Sequence, residues 1–107
     1  MRRGLTATLV FAAAVALSPG AVAAGKNHQV AIEGMKFVPE RIDVAVGDTI
    51  TWVNRDPVPH TVTNAAKKLE SGTIDANRKW RYVVRRKGEV DYVCRFHPGM
   101  RGTLSAR

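Results

Sequence analysis

From Gln29 onward, apolar and polar residues alternate in short runs broken by turn residues. Ile42, Val44 and Val46 alternate with Asp43 and Ala45, and Gly47-Asp48 then turns the chain. Thr49-Ile50-Thr51-Trp52-Val53 is β-branched and aromatic until Asn54-Arg55-Asp56-Pro57 ends it. Trp80, Tyr82 and Val84 share one face of a later run, with Arg81 and Arg85 on the other. Gly88 turns the chain into Glu89-Val90-Asp91-Tyr92-Val93-Cys94, whose Val90, Tyr92 and Cys94 point the same way. Arg101-Gly102-Thr103-Leu104-Ser105 reads as a last strand. A period of two sends alternate side chains to opposite faces, so each run can bury one face and wet the other. Repeated with regular turns, this pattern predicts an all-β sandwich. No long stretch carries helical periodicity, and no internal repeat or linker divides the chain.

The first 24 residues read differently. Met1-Arg2-Arg3 is charged, Leu5 to Leu17 is apolar, Ser18-Pro19-Gly20 breaks the run, and Ala21-Val22-Ala23 is a small-x-small cleavage pattern. That order predicts a secretory signal peptide over residues 1–24, cut after Ala23 or Ala24. The apolar run is short for a bilayer span, which disfavours an uncleaved anchor, and nothing downstream resembles a membrane segment. The expectation is an exported, periplasmic protein with one domain over residues 25–107.

Charge and cysteine content sharpen this picture. The whole chain carries a formal +8, of which Arg2 and Arg3 belong to the leader. A domain this small has a marginal core, and exported domains of its size lean on disulfides or a metal. With one cysteine in the chain no internal disulfide is possible, so a metal is the expected staple and Cys94 its expected ligand.

The candidate chemistry lies in Cys94-Arg95-Phe96-His97-Pro98-Gly99-Met100, with His60 upstream in Pro59-His60-Thr61-Val62. Thiolate and thioether are soft ligands and imidazole is borderline, a set that suits copper cycling between Cu(I) and Cu(II). Small zinc sites more often use several cysteines. In the strand reading, Cys94 closes a strand facing inward, and the turn through Pro98-Gly99 returns His97 and Met100 toward it. Plainer readings exist for each residue. Cys94 alone would be an ordinary buried thiol, and a Cys–His hydrolase would need an oxyanion device that the sequence does not offer. His60 alone would be a structural loop histidine. Met35 reads as core or rim packing, Trp52 and Trp80 as core, Arg85-Arg86-Lys87 as a solvated turn, and His28 as an exposed N-terminal residue. Cleavage after Gly25 would instead leave Lys26-Asn27-His28 as a terminal Cu(II)-binding tripeptide.

The chain resembles the cupredoxins, and within them the amicyanin/plastocyanin-like small blue-copper proteins. The resemblance covers nearly the whole predicted domain. It rests on Gly34-Met35-Lys36-Phe37-Val38-Pro39, Val46 to Asn54, Pro59-His60-Thr61-Val62, Glu70-Ser71-Gly72, and Asp91 through Gly102. The resemblance implies a Greek-key β-sandwich of about seven to eight strands. It implies one type 1 copper with His60, Cys94 and His97 as equatorial ligands, both imidazoles binding through Nδ1, and Met100 as the axial ligand. It further implies a monomeric electron carrier, not an enzyme, with redox protein partners: a dehydrogenase donor and a c-type cytochrome acceptor. A copper-binding chaperone or scavenger is the alternative, disfavoured by the lack of any Met-rich or His-rich tract. Nucleic acid is not an expected partner, given export and no clustered recognition element.

Two departures from the family pattern stand out. Thr61 occupies a position where many relatives have Asn; its hydroxyl can still hydrogen-bond, but a looser tie between the ligand loops is expected. The stretch Lys67-Lys68-Leu69-Glu70 is unusually basic. Around His97, an apolar rim of Met35, Pro59, Pro98, Gly99 and Met100 within a collar of Lys36, Arg95 and Arg101 is expected to meet an acidic partner surface.

Overall fold

Alternation decides which face each strand turns inward. The computed structural model describes residues 4, 6–9 and 25–107, so most of the expected leader lies outside the described residues. Nine strands follow: β1 (Asn27–Ile32), β2 (Phe37–Val38), β3 (Arg41–Val44), β4 (Thr49–Asn54), β5 (Thr63–Asn64), β6 (Leu69–Glu70), β7 (Lys79–Val83), β8 (Gly88–Val93) and β9 (Arg101–Ala106). The count exceeds the expected seven to eight because it includes β2, β5 and β6, two-residue strands at or next to a sheet edge. One sheet has the order β2-β1-β4-β7 and the other β3-β9-β8-β5-β6. Neighbours are antiparallel except β1 with β4 and β3 with β9, which run parallel. Residues Ala65–Lys67 form a single 3-10 turn between β5 and β6.

The inward faces are those the alternation predicts. Ile50, Trp52 and Asn54 of β4, Val30 and Ile32 of β1, Ile42 and Val44 of β3, and Leu104 and Ala106 of β9 are all buried. Each aliphatic side chain removed from water in this way contributes about 1.5–3 kcal/mol. At the centre Trp52 Nε1–H donates to the Tyr92 hydroxyl at 3.2 Å, which satisfies the indole inside an apolar core. Burial pushes the Tyr92 phenol up to about 12. Tyr92 lies opposite Gly102 across β8 and β9. A Cβ at Gly102 would overlap the Tyr92 ring, so the missing side chain is what admits the aromatic.

Three expectations need correction. Val46 is 42% exposed because the β3 strand stops at Val44 and Val46 sits in the turn. Trp80 is half-buried, covering the edge of the core, with its ring stacked on Tyr82. His28 is not a free terminal residue: it pairs in β1 with Ile50, and its Nε2 lies 2.8 Å from Asp48 Oδ2.

The two parallel pairings set the polarity of the sandwich. β1 and β4 both end, β8 ends, and β9 begins at the same pole. The connections leaving that pole carry every candidate ligand.

Candidate metal centre

The loop after β4 brings His60 inward through a network built on Asn54. Its buried amide donates to the carbonyls of Val58 and Ile74, both at 2.9 Å, while its oxygen accepts the Asp56 amide. His60 then exchanges backbone hydrogen bonds with Ile74, which fixes its backbone beside a second loop. The result is a fully buried imidazole.

Asp56 sets that ring's orientation. Its Oδ2 lies 2.8 Å from His60 Nε2, and the same carboxylate accepts the amides of Gly34 and Met35 at 2.7 and 3.0 Å. With an ionised acceptor at Nε2 the proton sits there, so Nδ1 keeps its lone pair. Burial pushes the Asp56 carboxyl up, but the Met35 amide, the His60 ring and the Gly34 amide together hold it below the ordinary carboxylate range. Gly34 and Met35 form the two-residue turn between β1 and β2, both with positive φ. A methionine there is strained by roughly 1–2 kcal/mol, and the carboxylate bonds to both amides of the turn offset that cost. One carboxylate thus ties the Met35 turn to His60.

Cys94 follows directly on β8, fully buried, and its loop is closed by three backbone bonds: Cys94 N–H to Met100 O, His97 N–H to Cys94 O, and Met100 N–H to His97 O. This winding puts one thiol, one imidazole and one thioether on a single seven-residue turn. Met100 is buried, while His97 is half-buried between exposed Phe96 and Pro98.

The Cys94 Sγ lies 3.6 Å from His60 Nδ1. A metal bound at about 2.0–2.1 Å to nitrogen and 2.3 Å to sulfur would separate those atoms by roughly this distance at an angle near 110°. The His60 and His97 rings stand edge-on, with centroids 5.4 Å apart. Among the described residues, no group of three or more His, Cys, Asp and Glu side chains closes into a cage unaided. What exists is a buried His60–Cys94 pair, with His97 beside it and Met100 on the same loop as Cys94. That set is two borderline nitrogens and two soft sulfurs, which suits copper.

Thr61 ties the two candidate ligand loops together through both its backbone and its hydroxyl. Thr61 N–H donates to Cys94 Sγ at 3.4 Å, and the Thr61 hydroxyl accepts the Arg95 amide at 2.9 Å. That hydroxyl also meets Thr63, Thr63 donates to Glu70 at 2.7 Å, and Glu70 pairs with the Arg95 guanidinium at 2.6 Å. A closed ring of side chains therefore fastens the two loops. Of the expected collar, Arg95 is paired with Glu70, whereas Lys36 and Arg101 take part in no ion pair among the described residues. The rim differs as well: Met35 is 41% exposed, but Met100 is buried, and Val58 and Phe96 are exposed where neither was expected.

Sequence reasoning missed Asp56, Asn54 and Glu70. Asp56 stands four residues before His60, and a carboxylate within reach of a candidate ligand is the signal that could have found it.

The cupredoxin-like domain family model matches residues 6–106 of the chain. Amicyanin-alpha of Methylorubrum extorquens is 29% identical over 108 residues, covering 92% of this chain and 91% of that protein. Amicyanin of Paracoccus denitrificans is 33% identical over 78 residues, covering 68% of this chain and 60% of that protein. Among solved structures, the Cu(I) form of a methionine-to-alanine mutant of amicyanin is similar with a TM-score of 0.72 and 32% identity, covering 78% of this chain and 83% of that one. The chain belongs to the cupredoxin-like family and is an amicyanin-like blue-copper protein.

Proposed function

We propose that the protein is an exported electron carrier that binds one type 1 copper through His60, Cys94, His97 and Met100. The observation that carries this reading is the 3.6 Å approach of His60 Nδ1 to Cys94 Sγ, with Met100 buried on the same loop as Cys94. The copper would supply a one-electron couple. Everything else is the chain's contribution. Asp56 holds the His60 proton on Nε2, and Thr61 donates a hydrogen bond to the Cys94 sulfur. The Thr61–Thr63–Glu70–Arg95 ring keeps the two ligand loops from moving apart. Such preorganisation lowers the cost of changing charge at the site. Four protein ligands leave no open position for a substrate, so the protein is a carrier and not an enzyme.

In this reading residues 1–24 direct export to the periplasm, and the electron passes through the half-buried His97 edge. Exposed Met35, Val58, Phe96 and Pro98 around it give an apolar contact with redox partners, a dehydrogenase donor and a c-type cytochrome acceptor. A copper chaperone using the same donors would release the ion readily, whereas His60, Cys94 and Met100 are buried and the loops that carry them are fastened to each other. The test is the visible spectrum of Cu(II)-loaded protein together with the copper off-rate. An intense red-region band with slow release supports the carrier. A colourless Cu(II) form, or rapid exchange, would overturn it.

A further inference from the structure

The pole opposite the ligand loops carries a different chemistry. β8 spans six residues, roughly 20 Å at about 3.3–3.4 Å per residue, between the Arg85–Lys87 turn and Cys94. At that far pole Arg85, Arg86 and Lys87 are all exposed, as are Lys67 and Lys68 on the 3-10 turn. Lys67, Lys68, Arg86 and Lys87 line one cavity of about 330 Å³, whose floor includes Tyr82, Val90 and Leu104. None of these five cations takes part in an ion pair among the described residues, unlike Arg41 and Arg95. The one carboxylate lining the cavity, Glu89, is held by Arg41 at 2.8 Å, so it does not offset the patch.

We propose that this basic pole is a docking surface for an anionic phospholipid bilayer, holding the protein with its ligand loops facing away. Four uncompensated cations around one cavity, with Arg85 next to them in the chain, match the polybasic clusters that bind anionic headgroups, and the apolar residues lining the cavity offer a place for part of an acyl chain. The composition favours lipid over protein. Three of the five are lysines, which protein interfaces disfavour. A fluid sheet of headgroups needs net charge more than a fixed pattern. The geometry also keeps docking and electron exchange on opposite ends, so one need not block the other.

Each basic residue near an anionic surface contributes roughly five-fold in binding, so removing four should weaken it on the order of a hundredfold or more. The test is co-sedimentation of the protein with vesicles of phosphatidylcholine alone and of phosphatidylcholine mixed with phosphatidylglycerol, at low and high salt. The patch variant combines Lys67→Gln, Lys68→Asn, Arg86→Gln and Lys87→Gln; asparagine suits the positive φ of Lys68. The charge-matched control combines Arg55→Gln, Arg78→Gln, Lys79→Gln and Arg81→Gln, all exposed and elsewhere on the surface. Circular dichroism confirms that both remain folded. Salt-sensitive binding to the mixed vesicles only, lost in the patch variant and kept in the control, supports the proposal. No binding by the wild type, or equal loss in the control, overturns it. So does soluble polyglutamate binding the patch as tightly as the vesicles, which would make the pole a dock for acidic protein.

Discussion

Two aspartate–histidine pairs sit at opposite poles of this sandwich, and they are built alike. Asp48 accepts the amides of Lys26 and Ala45 and meets His28 Nε2 at 2.8 Å. Asp56 accepts the amides of Gly34 and Met35 and meets His60 Nε2 at 2.8 Å. In each case a carboxylate gathers two loop amides and one imidazole, and so pins a strand end. The difference lies on the far side of the ring. The His60 side chain is fully buried and its Nδ1 faces Cys94 Sγ, whereas the His28 side chain keeps 23% of its surface exposed beside no thiol. The pair is a fastening device in both places. Only where a thiol meets the remaining nitrogen does it become half of the proposed metal site.

The largest effect should come from removing that thiol. Cys94→Ser makes the His60 pole resemble the His28 pole, and it should abolish the intense visible band and most copper affinity. Absorption spectroscopy and a copper titration check it. A variant that stays blue would show that the sulfur is not a ligand.

Next come the two carboxylates. Asp56→Ala should lower copper affinity by about 10–100-fold, the usual effect of losing the partner of a metal-ligating histidine. Asp48→Ala should loosen the fold while leaving copper affinity within error. Equal losses of affinity in both variants would mean that the pairs differ only in position.

Acid should act through both pairs in metal-free protein. The amides of Ala45 and Lys26 and the His28 ring hold the Asp48 carboxyl down at about 2, against an ordinary 3.8. A lowered folded-state value gives stability that is present above pH about 4 and is lost as pH falls toward 2. Asp56 is lowered too, so the sign is the same at both poles. Denaturant midpoints measured from neutral to acid pH should therefore fall in the wild type and fall less steeply in Asp48→Asn. An unchanged slope in that variant would remove Asp48 from the acid response.

The smallest effect concerns partners. Because Arg95 and Glu70 together carry no net charge, Arg101→Glu should slow association with an acidic redox partner a few-fold at low salt, and removing the pair as a whole (Arg95→Gln with Glu70→Gln) should add little through charge alone. The difference should shrink as ionic strength rises, when exposed charges are screened. Stopped-flow kinetics over a salt series measures it. Equal rates at every salt concentration would show that docking ignores this collar.

Much of the site was readable from the chain because its key spacing is local. Cys94, His97 and Met100 sit within one tight turn, and a period of two was enough to place Tyr92 and Cys94 on the buried face of β8. Alternation likewise set the inward faces of β3, β4 and β9. It failed at Val46, where the turn begins before the pattern ends. Beyond its reach lay His28, read as an exposed terminal residue, whose partner Asp48 lies twenty residues away in sequence.

What only the tertiary structure decided is which distant residues meet. Periodicity states which face a side chain occupies but not which strand lies beside it, and a parallel pairing such as β1 with β4 leaves no hairpin signal. The hold of Asp56 on His60 and on the Met35 turn, the bond from Thr61 to the Arg95 amide, and the Glu70–Arg95 pair all depend on that register. So does the gathering of Lys67 and Lys68 with Arg86 and Lys87 around one cavity. The candidate ligands could be named because their chemistry is carried by residue type and short spacing. The groups that orient them were not, because a hydrogen bond depends on a distance of about 3 Å, and only the folded chain sets such distances between residues far apart in sequence.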